Sequence, residues 1–429
     1  MCLSLADGRE GCAVTREEWR EKMASRKAAL AIHGGTPVRD TTVRPWPAWP
    51  VWDSREEEAL LRVLHSGKWG SHTGTEVHAF EEEFARFQDA RYGICNVNGT
   101  ASLEIALRAA GIAAGDEVIV PPYTFIATAT SVLMVNAVPI FADIEPDTYN
   151  LDPKAAEAAI TPRTRAIIVV HVGGCPVDLD AFTELARKHN LTLIEDSAHA
   201  HAASWRGRKV GAIGDLGTFS FQSSKNINAG EGGIIVTDNK QLQERCWSIV
   251  NVGRVPDGAW YEHHVLGSNY RLTEFQGALL RAQLTRLPEQ AERRTENARF
   301  LNAELEKIPG VRPMRLDERV TGHGYHLFLF RYNAADFGGM SREEFLRALS
   351  AEGIPCSPGY VPLYRTDLFR TQGTVAGAEV DYTKVACPVA ERACAEEAVW
   401  FTQNMLLGTR EDMQEIIDAI AKIQGAARA

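Results

Sequence analysis

Lys225 sits in the run Phe219-Ser220-Phe221-Gln222-Ser223-Ser224-Lys225, between an alternating apolar/polar stretch and the glycine cluster Gly230-Glu231-Gly232-Gly233. Lysine seldom leaves water without a use for its amine. Burial lowers the amine pKa and makes it a nucleophile able to form a Schiff base with a carbonyl compound. The competing reading is a loop charge between two strands. Three further stretches bear on the choice. Asn98-Gly99-Thr100-Ala101-Ser102 follows a strand and opens a helix, where free N–H groups, with a hydroxyl from Thr100 or Ser102, suit a phosphate. An ordinary N-cap has the same pattern. Ser220, five residues before Lys225, offers a second hydroxyl. Asp196 ends the apolar run that precedes Ser197-Ala198-His199, where a carboxylate keeps a pyridinium nitrogen protonated or else caps a helix. His199 either supports Asp196 or meets the same ligand. Tyr123-Thr124-Phe125, after Pro121-Pro122, supplies an aromatic ring to stack on a flat group or to fill a core.

These residues need elements that bring them to one edge. From Tyr92 onward, short apolar runs alternate with helical stretches, the pattern of a mainly parallel sheet with crossover helices. The strands read as 92–97, 117–120, 138–143, 166–171, 192–195, 217–221 and 233–237. In such a sheet ligands bind outside the carboxyl ends of the strands. All four candidate stretches follow or lie near such ends, so they converge on one crevice and Lys225 gains weight as a nucleophile. Upstream, residues 1–30 form a polar arm. The Pro/Trp-rich segment 44–52 tolerates neither helix nor central strand and drapes over a surface or a partner. Ser54 caps a Glu-rich helix to about Leu64, and a glycine loop at 67–74 leads to a helix from about Glu76 carrying Phe80, Phe84 and Phe87. Residues 270–308 read as one long helical stretch. Beyond Pro309-Gly310 comes a smaller α+β unit with a strand at 325–332, a helix at 341–352 and a closing helix from Arg410. The domains are therefore expected at 31–285 and 286–429, after the arm.

The chain of 429 residues carries a formal net charge of −10 and no basic run, which argues against a nucleic-acid surface. Its eight cysteines lack any C-x-x-C pair, so neither a disulfide framework nor a metal site is expected and reduced, buried thiols in a cytoplasmic protein are. The uncharged stretch 118–142 is long enough to span a bilayer, but its prolines and hydroxyl residues break it into strand, loop, helix and strand. No membrane segment and no secretory leader are expected.

Taken together, Asn98-Gly-Thr-Ala-Ser102, Glu195-Asp-Ser-Ala-His199, Phe219-Ser-Phe-Gln222 with Lys225 and Gly230-Glu-Gly-Gly233, and Gly267-Ser-Asn-Tyr-Arg271 resemble the motifs of the DegT/DnrJ/StrS-type aminotransferases. The resemblance runs from about residue 30 to the C-terminus. It implies the aspartate aminotransferase fold (fold type I), an α/β large domain with a seven-stranded, mainly parallel sheet and a smaller C-terminal α+β domain. It also implies pyridoxal 5'-phosphate (PLP) as cofactor. Lys225 then matches the Schiff-base lysine, Asp196 the partner of the pyridine nitrogen, His199 its neighbour and Phe125 the stacking ring. Gly99, Thr100, Ala101 and Ser220 match the phosphate cradle, and Gln222 completes the cofactor set. Asn269 matches the residue that reaches the phosphate of a neighbouring subunit, which implies a homodimer with shared active sites. Substrate-facing positions resemble Trp69, Thr73, His326 and Tyr360.

Many nucleotide-sugar members of the family carry His or Tyr where Gln222 stands. Gln222 resembles the cyclitol and aminohydroxybenzoate branches. The expected activity is transfer of an amino group from Gln or Glu to a keto-cyclitol or keto-sugar. The alternatives are an aminohydroxybenzoate-synthase-like PLP lyase or dehydratase, and a non-catalytic PLP-binding regulator.

Overall fold

The computed structural model describes residues 30–372 and 380–428; the arm expected at 1–30 lies almost wholly outside them. The seven apolar runs form one seven-stranded sheet of β1 (Tyr92–Asn96), β2 (Glu117–Val120), β3 (Val138–Phe141), β4 (Thr164–Val170), β5 (Thr192–Asp196), β6 (Leu216–Ser220) and β7 (Gly233–Thr237). Their order across the sheet is β1-β7-β6-β5-β4-β2-β3, and only β7 runs antiparallel to its neighbours. The strands are nearly continuous apolar runs because both faces are covered. Period-2 alternation sends Val118, Val120, Ile168 and Ile194 to the face under the helix Gly99–Ala109. Ile119, Ile167, Val169 and Leu193 go to the face covered by Phe182 and Leu185 of the helix Leu179–His189.

Several expected boundaries shift for identifiable reasons. Asp53, not Ser54, caps the first long helix (Ser54–Ser66): its side chain accepts from Arg55 N–H while Glu56 reaches back to its own N–H. The stretch expected as one helix over 270–308 is two helices, Glu274–Leu284 and Leu287–Leu305. Pro288 has no N–H to continue the first helix and its ring would clash with the carbonyl one turn back, so it opens the second instead. The strand expected from Tyr325 begins at Leu327, because Tyr325 holds a left-handed φ of 45°. The uncharged stretch 118–142 folds as β2, a loop, the helix Ala127–Met134 and β3, and no helix among the described residues is long and apolar enough to cross a membrane. The six described cysteines are all free thiols.

Towards the C-terminus, three antiparallel strands (Val311–Pro313, Leu327–Tyr332 and Ala398–Thr402) carry the helices Leu287–Leu305, Arg342–Ala351 and Arg410–Arg428. Alternation on the middle strand joins the two layers. Phe328 and Phe330 point into this unit's own core, whereas Leu327 and Leu329 join the core of the large sheet. The Pro/Trp-rich segment lies over its own chain. Trp46 donates to the Gly353 carbonyl at 2.9 Å, and Arg44 meets Glu415 at 2.7 Å. The segment thereby reaches the mouth of a cavity between the sheet edge and the C-terminal strands.

Candidate active site

A cavity of about 760 Å³ opens at the carboxyl edge of the sheet. β1, β2, β5 and β6 all end there, and β7, running the other way, starts there. Two glycines let these ends approach. A Cβ on Gly99 would lie 2.8 Å from the Ser220 Cβ, and one on Gly233 would lie 2.6 Å from the Asn98 carbonyl. The helix start after β1 is capped by Asn98, whose side chain accepts from Ala101 N–H at 2.8 Å. That bond occupies the Ala101 amide, and Ala101 does not line the cavity. Gly99 and Thr100 do line it, and their amides have no hydrogen-bond partner among the described residues. Ser220, at the end of β6, stands beside them.

Lys225, Asp196, His199, Phe125, Gln222, His326 and Tyr360 face the same space. Asp196 is buried, and burial raises its pKa; a hydrogen bond from Thr128 Oγ1 at 2.8 Å, another from Ala198 N–H at 3.3 Å and the Lys225 charge pull it back. Lys225 shows the converse. Burial draws its amine down to about 8, opposed by the Asp196 charge. His199 and His326 pack ring against ring at 4.4 Å, and burial followed by the Lys225 charge holds both well below the usual imidazole range, so both are neutral. His326 is fixed by Asn226 Oδ1 at 3.2 Å from its Nδ1, whereas His199 Nδ1 has no partner among the described residues. Tyr360 packs edge-on against Tyr123 and Trp400. Phe125 leaves 59% of its surface open. Gln222 is tied back by Ser223 and Ser224, with Oε1 accepting from the Ser224 hydroxyl at 2.7 Å.

Besides Ala101, three expected residues stand away from this cavity. Trp69 is 52% exposed, packs on Phe275 and donates to the Leu64 carbonyl. Thr73 turns its hydroxyl onto the Gly70 carbonyl. Asn269 is exposed beside Asn251. Sequence reading missed Trp49, Thr124, Thr128, Trp400 and Gln403, all on the cavity wall. Thr124 and Thr128, four apart and bonded to each other at 3.1 Å, carried a faint signal as polar residues in an otherwise apolar run. Trp49 lay in the extended segment, and Gln403 had no local signal.

The fold is that of the fold-type-I PLP-dependent transferases. The chain belongs to the DegT/DnrJ/EryC1/StrS aminotransferase family, whose profile matches residues 50–421. A Streptoalloteichus tenebrarius protein provisionally assigned as an L-glutamine:3-amino-2,3-dideoxy-scyllo-inosose aminotransferase is 42% identical over 408 residues, covering 92% of this chain and 97% of the relative. An L-glutamine:2-deoxy-scyllo-inosose aminotransferase of the same organism is 40% identical over 416 residues, covering 92% and 97%. Among solved structures, a 3-amino-5-hydroxybenzoic acid synthase superposes with a TM-score of 0.83 at 36% identity, covering 92% of this chain and all of that one.

Proposed function

We propose that this chain uses PLP to move the amino group of L-glutamine to the ketone of a cyclitol. The observation that carries the reading is the joint placement, on one cavity wall, of a Lys225 amine with no partner among the described residues and a Thr128-held Asp196 carboxylate. The residues present fit the cofactor. The free amides of Gly99 and Thr100, with Ser220 beside them, make an anion cradle that a Cβ at position 99 would fill. Phe125 offers an open ring face, and Asp196 an ionisable carboxylate for a ring nitrogen. When bound, PLP supplies the electron sink that makes proton removal beside a nitrogen feasible. Asp196 holds the proton on the ring nitrogen. Lys225 Nζ, with its lowered pKa, takes and returns the proton at the substrate carbon that bears nitrogen. His199, neutral and buried, keeps a second positive charge from the ring's neighbourhood.

Two relatives that share about two-fifths of the residues act, by name, on scyllo-inosose ketones with L-glutamine, which supports the cyclitol acceptor and the glutamine donor. We assign Asn269 to the phosphate of a second copy. It is exposed and away from its own cavity, close in sequence to Trp260, Tyr261 and Leu266, each more than three-quarters exposed. L-Glutamine should convert the cofactor spectrum of the wild type to the aminated form, and a panel of inosose ketones should reverse it. Lys225→Ala should lose both the resting cofactor absorbance and turnover; an unchanged spectrum with full activity would refute the assignment. Co-expressed Lys225→Ala and Asn269→Ala chains should recover activity in mixed dimers, and no recovery would return Asn269 to its own subunit.

A further inference from the structure

Arg294 is fully buried on the helix Leu287–Leu305, yet it makes no ion pair among the described residues. A buried guanidinium ordinarily needs an acid partner, since desolvating an unpaired charge is costly. Here Nε and Nη2 both donate to Gln403 Oε1, at 3.1 and 2.5 Å, while Nη1 has no partner among the described residues. The face of Trp49 lies 5.5 Å from the guanidinium carbon. Trp49 and Gln403 both line the cavity. A positive charge thus stands one side chain behind the wall. Burial draws its pKa to about 9, so it stays cationic at neutral pH.

The fork fixes the orientation of Gln403. Its oxygen is spent on Arg294, which leaves the two N–H donors of Nε2, and these have no partner among the described residues. The neighbours cannot serve as well. Asn404 Oδ1 accepts from the Thr402 hydroxyl, and Asn404 Nδ2 donates to the Pro47 carbonyl. An amide polarised by a cation behind it is a strong donor for an anion, and the uncompensated charge adds attraction at short range. The other charged walls are Lys225, Asp196 and Glu231, of which Asp196 and Lys225 are engaged in the chemistry. A keto-cyclitol carries no anion, whereas the amino-acid donor carries an α-carboxylate.

We infer that Gln403, braced by Arg294, is the specificity residue that receives the carboxylate of the amino donor. The inference rests on the aminotransferase reading. Glutarate, a dicarboxylate without an amine, serves as the binding probe for the PLP-loaded protein by titration calorimetry. Glutamine-driven change of the cofactor spectrum serves as the separate test of the reaction. Gln403→Glu gives Arg294 an acid partner, so the fold should be kept, with a melting temperature at or above wild type. It also faces the donor with a carboxylate. Glutarate affinity and the half-saturating glutamine concentration should each worsen at least about tenfold, the loss expected for a hydrogen bond to a charged group. KM for a neutral ketone acceptor should change less than threefold. The double variant Arg294→Met with Gln403→Leu removes both polar partners together and should show the same loss of glutarate, without an orphaned charge. The inference is overturned if either variant binds glutarate as wild type does, or if the acceptor KM moves as far as the donor term. If no amino acid converts wild type, the aminotransferase reading fails and takes the inference with it. Conversion of wild type with no effect of Gln403→Glu sinks the inference alone.

Discussion

Thr128→Val tests what opposes the burial-driven rise of the Asp196 pKa. The substitution preserves shape and removes the hydroxyl that donates to Asp196 Oδ2 at 2.8 Å. Among the opposing influences on this buried carboxylate, that bond is the largest one holding its pKa down. A hydrogen bond to a charged group contributes about 1.5–3 kcal/mol, which corresponds to a further rise of about one to two pH units in the Asp196 pKa. The sign follows from linkage. Because the folded-state pKa already lies above the ordinary carboxylate value, Asp196 contributes stability in acid, where it is protonated, and this is lost as pH rises through the folded value. In Thr128→Val that loss deepens and extends to higher pH. Urea unfolding of cofactor-free protein should therefore show the variant about 1.5–3 kcal/mol less stable than wild type at pH 7. Near pH 4 the difference should shrink to a small uniform offset from the lost Thr124 contact. With cofactor, a more basic Asp196 competes for the ring-nitrogen proton, so kcat should fall about tenfold with little change in donor KM. An equal loss of stability at both pH values would refute the reasoning, because it would mean that the hydroxyl acts through packing and not on the Asp196 charge.

Two other outcomes are expected. The rate of PLP capture by cofactor-free protein should rise with pH through about 8, following the lowered Lys225 pKa, and level off above it; a rise centred near the ordinary lysine value would contradict the burial. Gly99→Ala places a Cβ 2.8 Å from Ser220 Cβ, so PLP and inorganic phosphate should each bind at least about tenfold more weakly while the melting temperature drops by only a few degrees.

The motif residues are legible in the amino-acid sequence because each belongs to a short stretch with a local cause. The seven strands announce themselves as apolar runs since both sheet faces are buried, and their carboxyl ends mark the crevice at which Asp196, Ser220, Thr100 and Phe125 gather. Family resemblance supplied the roles that periodicity could not. Trp69 and Thr73 stand apart from that crevice for a physical reason: their loop closes on its own backbone and on Phe275, so neither side chain is free to reach the cavity of the same chain.

Other features were decided by packing alone. Thr128 meets Asp196 across 68 residues, and Arg294 meets Gln403 across 109. Trp49 reaches the cavity from an extended segment whose prolines gave no hint of where it would lie. The amino-acid sequence by itself determined the layered sheet and the enzyme family, and singled out Lys225 as the candidate nucleophile, because burial periodicity and contiguous motifs act over a few residues. The tertiary structure alone decided which hydroxyl opposes the burial-raised pKa of Asp196, and where a buried cation stands behind the wall, because those energies depend on distances between residues that share no local pattern.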